Sequence, residues 1–333
     1  MSRWLGAFLL VTASLGWAQE RRARIDLEHY RADVEILPRT QSLSARVEVA
    51  FTPLEDTNTV VLELNNGLSV TRAVTEKNED LPAVRYQQDF TVKLTFPAPL
   101  PKGQATKVTI SYDGRITGLE NSPVEGVNFG SIQNDRAFLL YPARWLPTNG
   151  YTSDRFTAEL NVTVPTGMEV LASGLSASKP AAAGKTVFSY RMEKPSFPAS
   201  IAVISAPPER VNSEGYSTLL YFRGDEKAQA GVYGEETGKI VKYYGSILGL
   251  PPYGNLTLVE TEEHAPNGYA APGIVFLSPR GIGKKLNSRL LAQQVAHQWW
   301  RVLVSPVSRR HLWLDNGLSL RAGMYQRRGL PRW

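Results

Sequence analysis

The sequence contains no cysteine among its 333 residues. This absence excludes disulfide bonds, thiolate catalysis and cysteine-based zinc sites, and it also removes the lipid anchor that many bacterial exported proteins carry on a cysteine. The folded chain must therefore be stabilised by burial of its apolar side chains.

Long apolar runs are scarce too. The run from Leu5 to Trp17 is shorter than the roughly 20 residues that a transmembrane helix needs, and no later stretch approaches that length. The run follows Arg3 and ends in small residues around Ala18, an order typical of a cleaved signal peptide, although an uncleaved interfacial anchor is the alternative. We expect residues 1–18 to be a signal peptide, no transmembrane anchor, and an exported chain that is periplasmic or extracellular.

Acidic residues are rare near the end of the chain, where seven arginines follow residue 300 and the one acid is Asp315. Such a cluster could attract nucleic acid. Apolar residues interrupt it, however, and it lacks regularly spaced aromatic residues for base stacking. We therefore expect a solvated or interdomain face and no nucleic-acid partner.

The first two thirds of the chain carry a β pattern. From Tyr30 to about Ser205, apolar residues alternate with polar ones in short runs separated by turn formers, and helix signals are absent. After Pro207 the pattern changes to helical spacing from Glu235 to Leu248, short buried strands, a helix from about Ser288 to Leu303, and another helix from near Leu314. The length also favours two domains. We predict an α+β fold with an all-β domain over residues 19–207 and a mixed domain over residues 208–333.

Two motifs carry a resemblance to a known family. Residues 295–300 read V-A-H-Q-W-W and residues 312–317 read L-W-L-D-N-G, while residues 267–273 read N-G-Y-A-A-P-G. These resemble the A-H-Q-W, L-W-L-N-E-G and G-x-M-E-N-P-G segments of the aminopeptidase N family of gluzincin zinc metallopeptidases. The spacing of eighteen residues between the second zinc-binding His and the ligand Glu is also kept, from Gln298 to Asp315. The resemblance implies a β-saddle domain over residues 19–207, an incomplete thermolysin-like peptidase domain over residues 208–333, and a zinc-dependent aminopeptidase ancestry.

The match fails at the functional positions that the resemblance implies. Gln293 stands at the first zinc-binding His, Gln294 at the general base and Asn316 at the third ligand, so that His297 is the one ligand retained. In the cleft segment, which begins at Gly268, Ala270 replaces the Glu that would hold a free amino terminus. Ala271 replaces the neighbouring Asn, and the family's transition-state Tyr and C-terminal helical domain would lie beyond Trp333.

The chemistry of these side chains agrees with that comparison. Residues four apart share a helix face, so Gln293 and His297 would project together. A carboxamide is a poor zinc ligand with no charge to offset the cation, and Gln294 cannot take a proton from water near neutral pH. We therefore expect no intact catalytic residue and no zinc.

Other carboxylates could supply an altered site. Asp315 lies one residue before the ligand position, which turns it by about 100° on a helix, so we expect a surface or capping carboxylate. Glu262, Glu263 and His264 could form a relocated metal site near the cleft, but adjacent polar residues in a loop need not converge.

The sequence thus predicts an exported pseudopeptidase that binds a peptide or protein through the remnant cleft. The alternatives are a zinc metallopeptidase with an altered metal site, drawing on Asp315, His264 or a partner's residue, or one piece of a split peptidase. The sequence indicates no oligomeric state.

Overall fold

The computed structural model describes residues 23–118, 122, 124–149, 154–307 and 309–328. The predicted signal peptide, residues 1–18, lies outside them. Within the described ranges, no helix has both the length and the apolar composition needed to cross a membrane.

A seven-stranded sheet forms the larger part of the N-terminal region, with strand order β12-β13-β10-β1-β2-β7-β4. Its strands are β1 (Ile25–Leu37), β2 (Ser42–Pro53), β4 (Leu68–Thr75), β7 (Thr106–Arg115), β10 (Phe156–Pro165), β12 (Leu175–Ala181) and β13 (Lys185–Ser196). Buried and exposed residues alternate along β1, β2 and β10, as expected for strands with one face on a core. The central strand β1 pairs antiparallel with β2 and parallel with β10.

Two small sheets complete the N-terminal region, with orders β3-β6-β5 and β11-β14-β9-β8. Their strands are β3 (Thr57–Glu63), β5 (Ala83–Tyr86), β6 (Thr91–Leu100), β8 (Gly130–Gln133), β9 (Arg136–Leu139), β11 (Glu169–Leu171) and β14 (Ile201–Ile204). Trp145 fills the core between the sheets, and its indole N–H donates to the Ala199 carbonyl at 2.8 Å. The Tyr112 hydroxyl donates to the Trp145 carbonyl at 2.6 Å, so the large polar tips in this core are satisfied.

The remaining residues form a five-stranded sheet flanked by helices, with order β15-β16-β17-β19-β18. Its elements are β15 (Glu209–Ser213), β16 (Tyr216–Tyr221), α1 (Ala230–Leu248), β17 (Asn255–Glu260), β18 (Gly268–Ala271), β19 (Ile274–Leu277), α2 (Pro279–Ile282), α3 (Ser288–Ala296) and α4 (Leu312–Arg328). Strands β16, β17 and β19 run parallel, and the edge strands β15 and β18 run antiparallel to their neighbours. Side chains of β17, β19, α1 and α3 share one apolar cluster.

The α+β prediction is confirmed, and two helix boundaries are corrected. Helix α3 ends at Ala296 and not near Leu303, because Arg301 has a left-handed φ of 130° and the Val302 N–H turns back to the His297 carbonyl at 3.1 Å. Helix α4 begins at Leu312, two residues before the predicted start. The predicted domain boundary at residue 207 falls in the connection between β14, which ends at residue 204, and β15, which begins at residue 209. The division into two domains there stays a prediction.

Candidate functional site

Helix α3 carries the residues that the resemblance implicates. Its start is fixed by Asn287, whose side-chain oxygen accepts the Leu290 N–H at 3.3 Å. Leu291 and Val295 are fully buried on the face that packs on the sheet. The helix therefore fixes a polar strip, which consists of Gln293 and Gln294 in its last turn and of His297 and Gln298 just beyond its end.

His297 is buried and uses both ring nitrogens. Its Nδ1 lies 3.0 Å from Asp315 Oδ1 and 3.0 Å from the Trp300 carbonyl oxygen, and its Nε2 lies 3.2 Å from Ser319 Oγ. Burial lowers the pKa of His297, against the opposite effect of its hydrogen bond to Asp315. The retained imidazole is thus a member of a buried hydrogen-bond network that joins α3 to α4.

Asp315 corrects the expectation of a surface or capping carboxylate. Its residue exposure is 3%, and besides His297 it accepts the Arg301 Nε–H at 2.8 Å. The cause is the rotation of α4, which turns Asp315, Ser319 and Ala322 inward at helical spacing. Burial alone would raise the pKa of Asp315. The hydrogen bond from His297 and the charge of Arg301 nevertheless hold this pKa below its ordinary value.

The same rotation leaves Asn316 outside the site. Asn316, at the third ligand position, is exposed, and its side-chain oxygen accepts from an Arg301 guanidinium N–H at 3.3 Å. Gln293 is half-buried, one turn before His297, whose N–H donates to the Gln293 carbonyl at 3.2 Å. Gln293 and Asn316 offer uncharged carboxamides, and the imidazole nitrogens already have partners. These residues do not fit a zinc ion.

No alternative ligand set replaces them within the described ranges. No three histidine, aspartate or glutamate side chains there converge as metal ligands would. Glu262 accepts hydrogen bonds from Asn128, Ser131 and Gln133, which orient its carboxylate without a metal. His264 is exposed, and Glu263 pairs with Arg280 at 3.2 Å. The relocated metal site that the sequence left open is therefore not assembled from Glu262, Glu263 and His264.

Gln294, at the general-base position, is buried against the edge strand β18. A Cβ atom added at Gly268 would lie 2.7 Å from the Gln294 side chain, so the missing side chain of Gly268 allows the two elements to approach. Ala270 and Ala271 on the same strand are buried as well. These residues, with the polar strip of α3, form the remnant cleft, which is closely packed at this point.

Gln298 clamps the β18–β19 hairpin to the end of α3. Its amide group donates to the Ala271 carbonyl at 3.0 Å and accepts the Gly273 N–H at 2.9 Å. A buried amide must be hydrogen-bonded, and here backbone groups of the hairpin are the partners. Local sequence gives no sign of that pairing.

The comparison with known proteins identifies the architecture. The chain superposes on an M1 zinc metallopeptidase from Deinococcus radiodurans with a TM-score of 0.73, at 20% identity, over 93% of this chain and 73% of that one. A mutant of that enzyme bound to a Tyr-Ser-Ala substrate gives a TM-score of 0.74 at 21% identity, over 93% of this chain and 72% of that one. The chain has the fold of the M1 zinc metallopeptidases.

Sequence relatives point to the same group. Leucine aminopeptidase 2 of Candida glabrata is 24% identical over 278 residues, which cover 80% of this chain and 40% of that protein. Leucine aminopeptidase 2 of Aspergillus fumigatus is 24% identical over 335 aligned positions, which cover 91% of this chain and 51% of that protein. The chain thus spans about half the length of the curated relatives it matches, or less, and no protein-family model matches it. The resemblance to the aminopeptidase N family that the motifs indicated is confirmed. The solved structures support it at the level of the M1 peptidase fold.

Proposed function

We propose that this chain is an exported, catalytically inactive M1-type peptidase homologue that acts by binding a peptide or protein through the remnant cleft. The single observation that carries the proposal is the state of His297. Both of its ring nitrogens lie in hydrogen bonds with buried or backbone groups, so that the one retained ligand position is committed to holding α3 against α4.

The position of the general base supports the same conclusion independently. Gln294 has no carboxylate to accept a proton from water, and positioned acid–base groups typically contribute about 10² to 10⁴ in rate. Its side chain also packs against Gly268, so a peptide bound along the cleft would meet an amide, and no base, at this position. Loss of the metal ligands and loss of the base therefore act separately against hydrolysis.

The test is a joint measurement of metal and activity. The purified chain is loaded with excess zinc and dialysed, its zinc content is measured by mass spectrometry, and a mixture of free peptides is incubated with it. We expect much less than one zinc ion per chain and no new peptide termini. Stoichiometric zinc that disappears in the His297→Ala variant, together with hydrolysis, would establish the altered-site metallopeptidase instead. Hydrolysis that begins when a separate helical polypeptide from the same genome is added would establish the split peptidase.

Export rests on the first residues and has its own experiment. With the full chain expressed in a bacterium, the protein in the periplasm or medium should begin at Gln19, as read by N-terminal sequencing. An Ala18→Asp variant is the matched control, because a charged residue at the cleavage site blocks a signal peptidase. Recovery of the uncut chain from the cytoplasm alone would contradict export.

A further inference from the structure

The outer edge of β12 is open. This strand is the last one in the order of the seven-stranded sheet, and it pairs antiparallel with β13 along its whole length. Six of its seven residues are exposed, and the seventh, Ala181, is half-buried. The backbone groups on its other side therefore have no strand partner among the described residues, and such an edge is a template for another extended chain.

The two edges of this sheet differ in how they are protected. At the opposite edge, β4 has an irregular register against β7, and its Ala73 carbonyl accepts the Leu81 N–H at 2.8 Å. The pairing of β12 with β13 has no such irregularity. Residues 175–178 read L-S-A-S, without a charge or a proline, and Lys179 and Pro180 follow them. Bulges, charges and proline usually prevent edge pairing, so the first half of β12 is able to pair.

A cavity of about 440 Å³ lies under the inner face of this edge. Ser176 and Ser178 line it from β12, and the residues paired with them, Tyr190 and Phe188, line it from β13. The rest of its wall comes from β11, β16, β17, the β18–β19 hairpin and the loop around Tyr253. Because alternate residues of a strand share a face, every second side chain of a strand added beside β12 would point to the cavity side.

The walls of the cavity suit an aromatic side chain. Its lining includes four aromatic residues and no lysine or arginine; the aromatic residues are Phe188, Tyr190, Tyr221 and Tyr253. Phe188 and Tyr253 are half-buried, so they keep surface that a ligand could cover. The one carboxylate in the lining, that of Glu169, already accepts the Tyr221 hydroxyl at 2.9 Å. Aromatic side chains gain from packing against each other beyond the burial of their area.

The outer face of β12 carries an unpaired charge. Lys179 is exposed and follows Ser178, so it stands on the face away from the cavity. Among the described residues, no carboxylate pairs with it. Opposite charges on directly opposed residues of neighbouring strands attract each other. A strand beside β12 is therefore favoured when an acidic residue opposes Lys179 and an aromatic residue opposes Ser178.

We propose that the outer edge of β12 binds an extended segment of a partner protein by strand addition, with an aromatic side chain in the cavity and an acidic side chain against Lys179. In such complexes the backbone hydrogen bonds supply affinity, and pockets for alternate side chains supply specificity. The cleft residues Gly268, Ala270 and Gln294 do not line this cavity, so the site goes beyond the proposed function and does not depend on it.

A second copy of this chain fits the edge less well. Two β12 strands side by side would turn Ser176, Ser178 and Pro180 towards the cavity, and these side chains are too small to fill it. The strand also has no acidic residue to oppose Lys179. The edge therefore favours a partner segment that has both features.

The experiment is titration calorimetry on the whole chain with acetyl-Thr-Glu-Phe-Thr-Phe-Thr-amide. In antiparallel pairing this probe sets its Glu against Lys179 and its two Phe against Ser178 and Ser176, and it has no free amino group. A probe with Ala in place of both Phe should bind at least about tenfold more weakly, because it leaves the cavity unfilled. A fully N-methylated probe keeps the side chains but cannot donate to β12, and we expect a similar loss. Equal binding of the N-methylated probe, or no binding of the first probe, overturns the proposal.

Variants assign the binding to the edge. Ser178→Lys puts an inward-pointing charge on β12 and should abolish binding. Ser69→Lys, at an exposed serine on β4, is the matched control and should keep it. Circular dichroism reports the folding of each variant, and binding that survives in folded Ser178→Lys overturns the site.

A charge exchange tests the register without entering the cavity. Lys179→Glu should weaken binding of the first probe by up to about fivefold, and a probe with Lys in place of its Glu should recover the loss. Absence of both effects overturns the pairing with Lys179.

The oligomeric state distinguishes the partner segment from a second copy. Sedimentation velocity is measured on the natural chain and on Ser178→Lys. The same mass for both supports the proposal. A dimer that Ser178→Lys converts to a monomer would make the second copy the occupant of the edge and overturn it.

Discussion

At the scale of single residues, the fate of His297 shows how a ligand position can become a structural one. Its imidazole connects the last turn of α3 to Asp315 and Ser319 on α4, and Arg301 extends the same network from the intervening turn. All these side chains are buried or nearly so. The network occupies the place where the family resemblance implies a metal.

We predict that His297→Ala destabilises the protein by about 1–3 kcal/mol, because it removes hydrogen bonds and leaves Asp315 and Ser319 partly unsatisfied. Urea unfolding followed by circular dichroism measures the change. His264→Ala, at an exposed imidazole, is the matched control and should leave the midpoint where it is. An unchanged midpoint in His297→Ala would show that the network does not hold α3 against α4.

The sequence assigned residues to the old site but did not indicate how they are used. The replacements at 293, 294 and 316 are legible because the motifs resemble those of the aminopeptidase N family, and a helix fixes which residues share a face. The burial of Asp315 was not predicted, since a rotation of α4 by one residue decides which of Asp315 and Asn316 faces inward. That rotation depends on packing between two helices and leaves no trace in local sequence.

At the scale of elements, the contact between α3 and the β18–β19 hairpin depends on one amide. Gln298 satisfies a carbonyl and an N–H of the hairpin at once. We predict that Gln298→Ala destabilises the chain by about 1–3 kcal/mol, because both backbone groups lose their partner. The amide of Gly273 should exchange with solvent much faster, as measured by hydrogen exchange with mass spectrometry.

Gln293→Ala is the matched control for that experiment, because Gln293 lies half-buried on the same helix. It should not change exchange at Gly273. Equal effects of the two substitutions would mean that general weakening of α3, and not the clamp, controls the hairpin.

The segment just before β10 carries a pH-sensitive carboxyl group, that of Asp154. Burial, reinforced by Asp26, raises the pKa of Asp154 to about 7, although the hydrogen bond that it accepts from the Leu27 N–H at 2.9 Å lowers it. The folded state keeps this proton over a range in which the unfolded chain has lost it. The contribution of the Asp154 carboxyl group to the free energy of unfolding is therefore full below the ordinary pKa of 3.8 and is lost as the pH rises towards 7.

We accordingly predict that raising the pH from 4 to 7 lowers the thermal midpoint of the natural chain by more than that of the Asp154→Asn variant. The asparagine keeps an acceptor for the Leu27 N–H but does not titrate. Calorimetry at a series of pH values measures the difference. Parallel curves for the two proteins would contradict the assignment.

Most elements were predictable because their signals are local. Alternation of apolar and polar residues marked the long strands β1, β2 and β10, and helical spacing from Ser288 marked the start of α3. The end of α3 was missed because the chain turns back at Arg301, and the Val302 and Leu303 carbonyls of that turn accept from Arg155, a residue almost 150 positions earlier. A boundary that a distant arginine helps to fix cannot be read from helix propensity.

At the scale of the whole molecule, three apolar clusters, the backbone pairing of four sheets and the His297 network hold the described elements together. None of them includes a metal ligand set within the described residues. We predict that the thermal midpoint is the same with excess EDTA as with excess zinc, because a ligand that binds only the folded state would raise it. A rise of several degrees with zinc, absent in His297→Ala, would contradict this.

The pairing of β1 with β10 also constrains how the protein can be made. Strand β1 is the middle strand of the seven-stranded sheet, and its residue His29 lies opposite Thr157. During synthesis, β1 and β2 can pair early, but the other edge of β1 has no partner until residues 156–165 have been translated. A nascent chain therefore presents an open strand edge, which is a template for wrong pairing, while residues 38–155 are being made. The interval between translating β1 and β10 is the period in which this edge can pair wrongly.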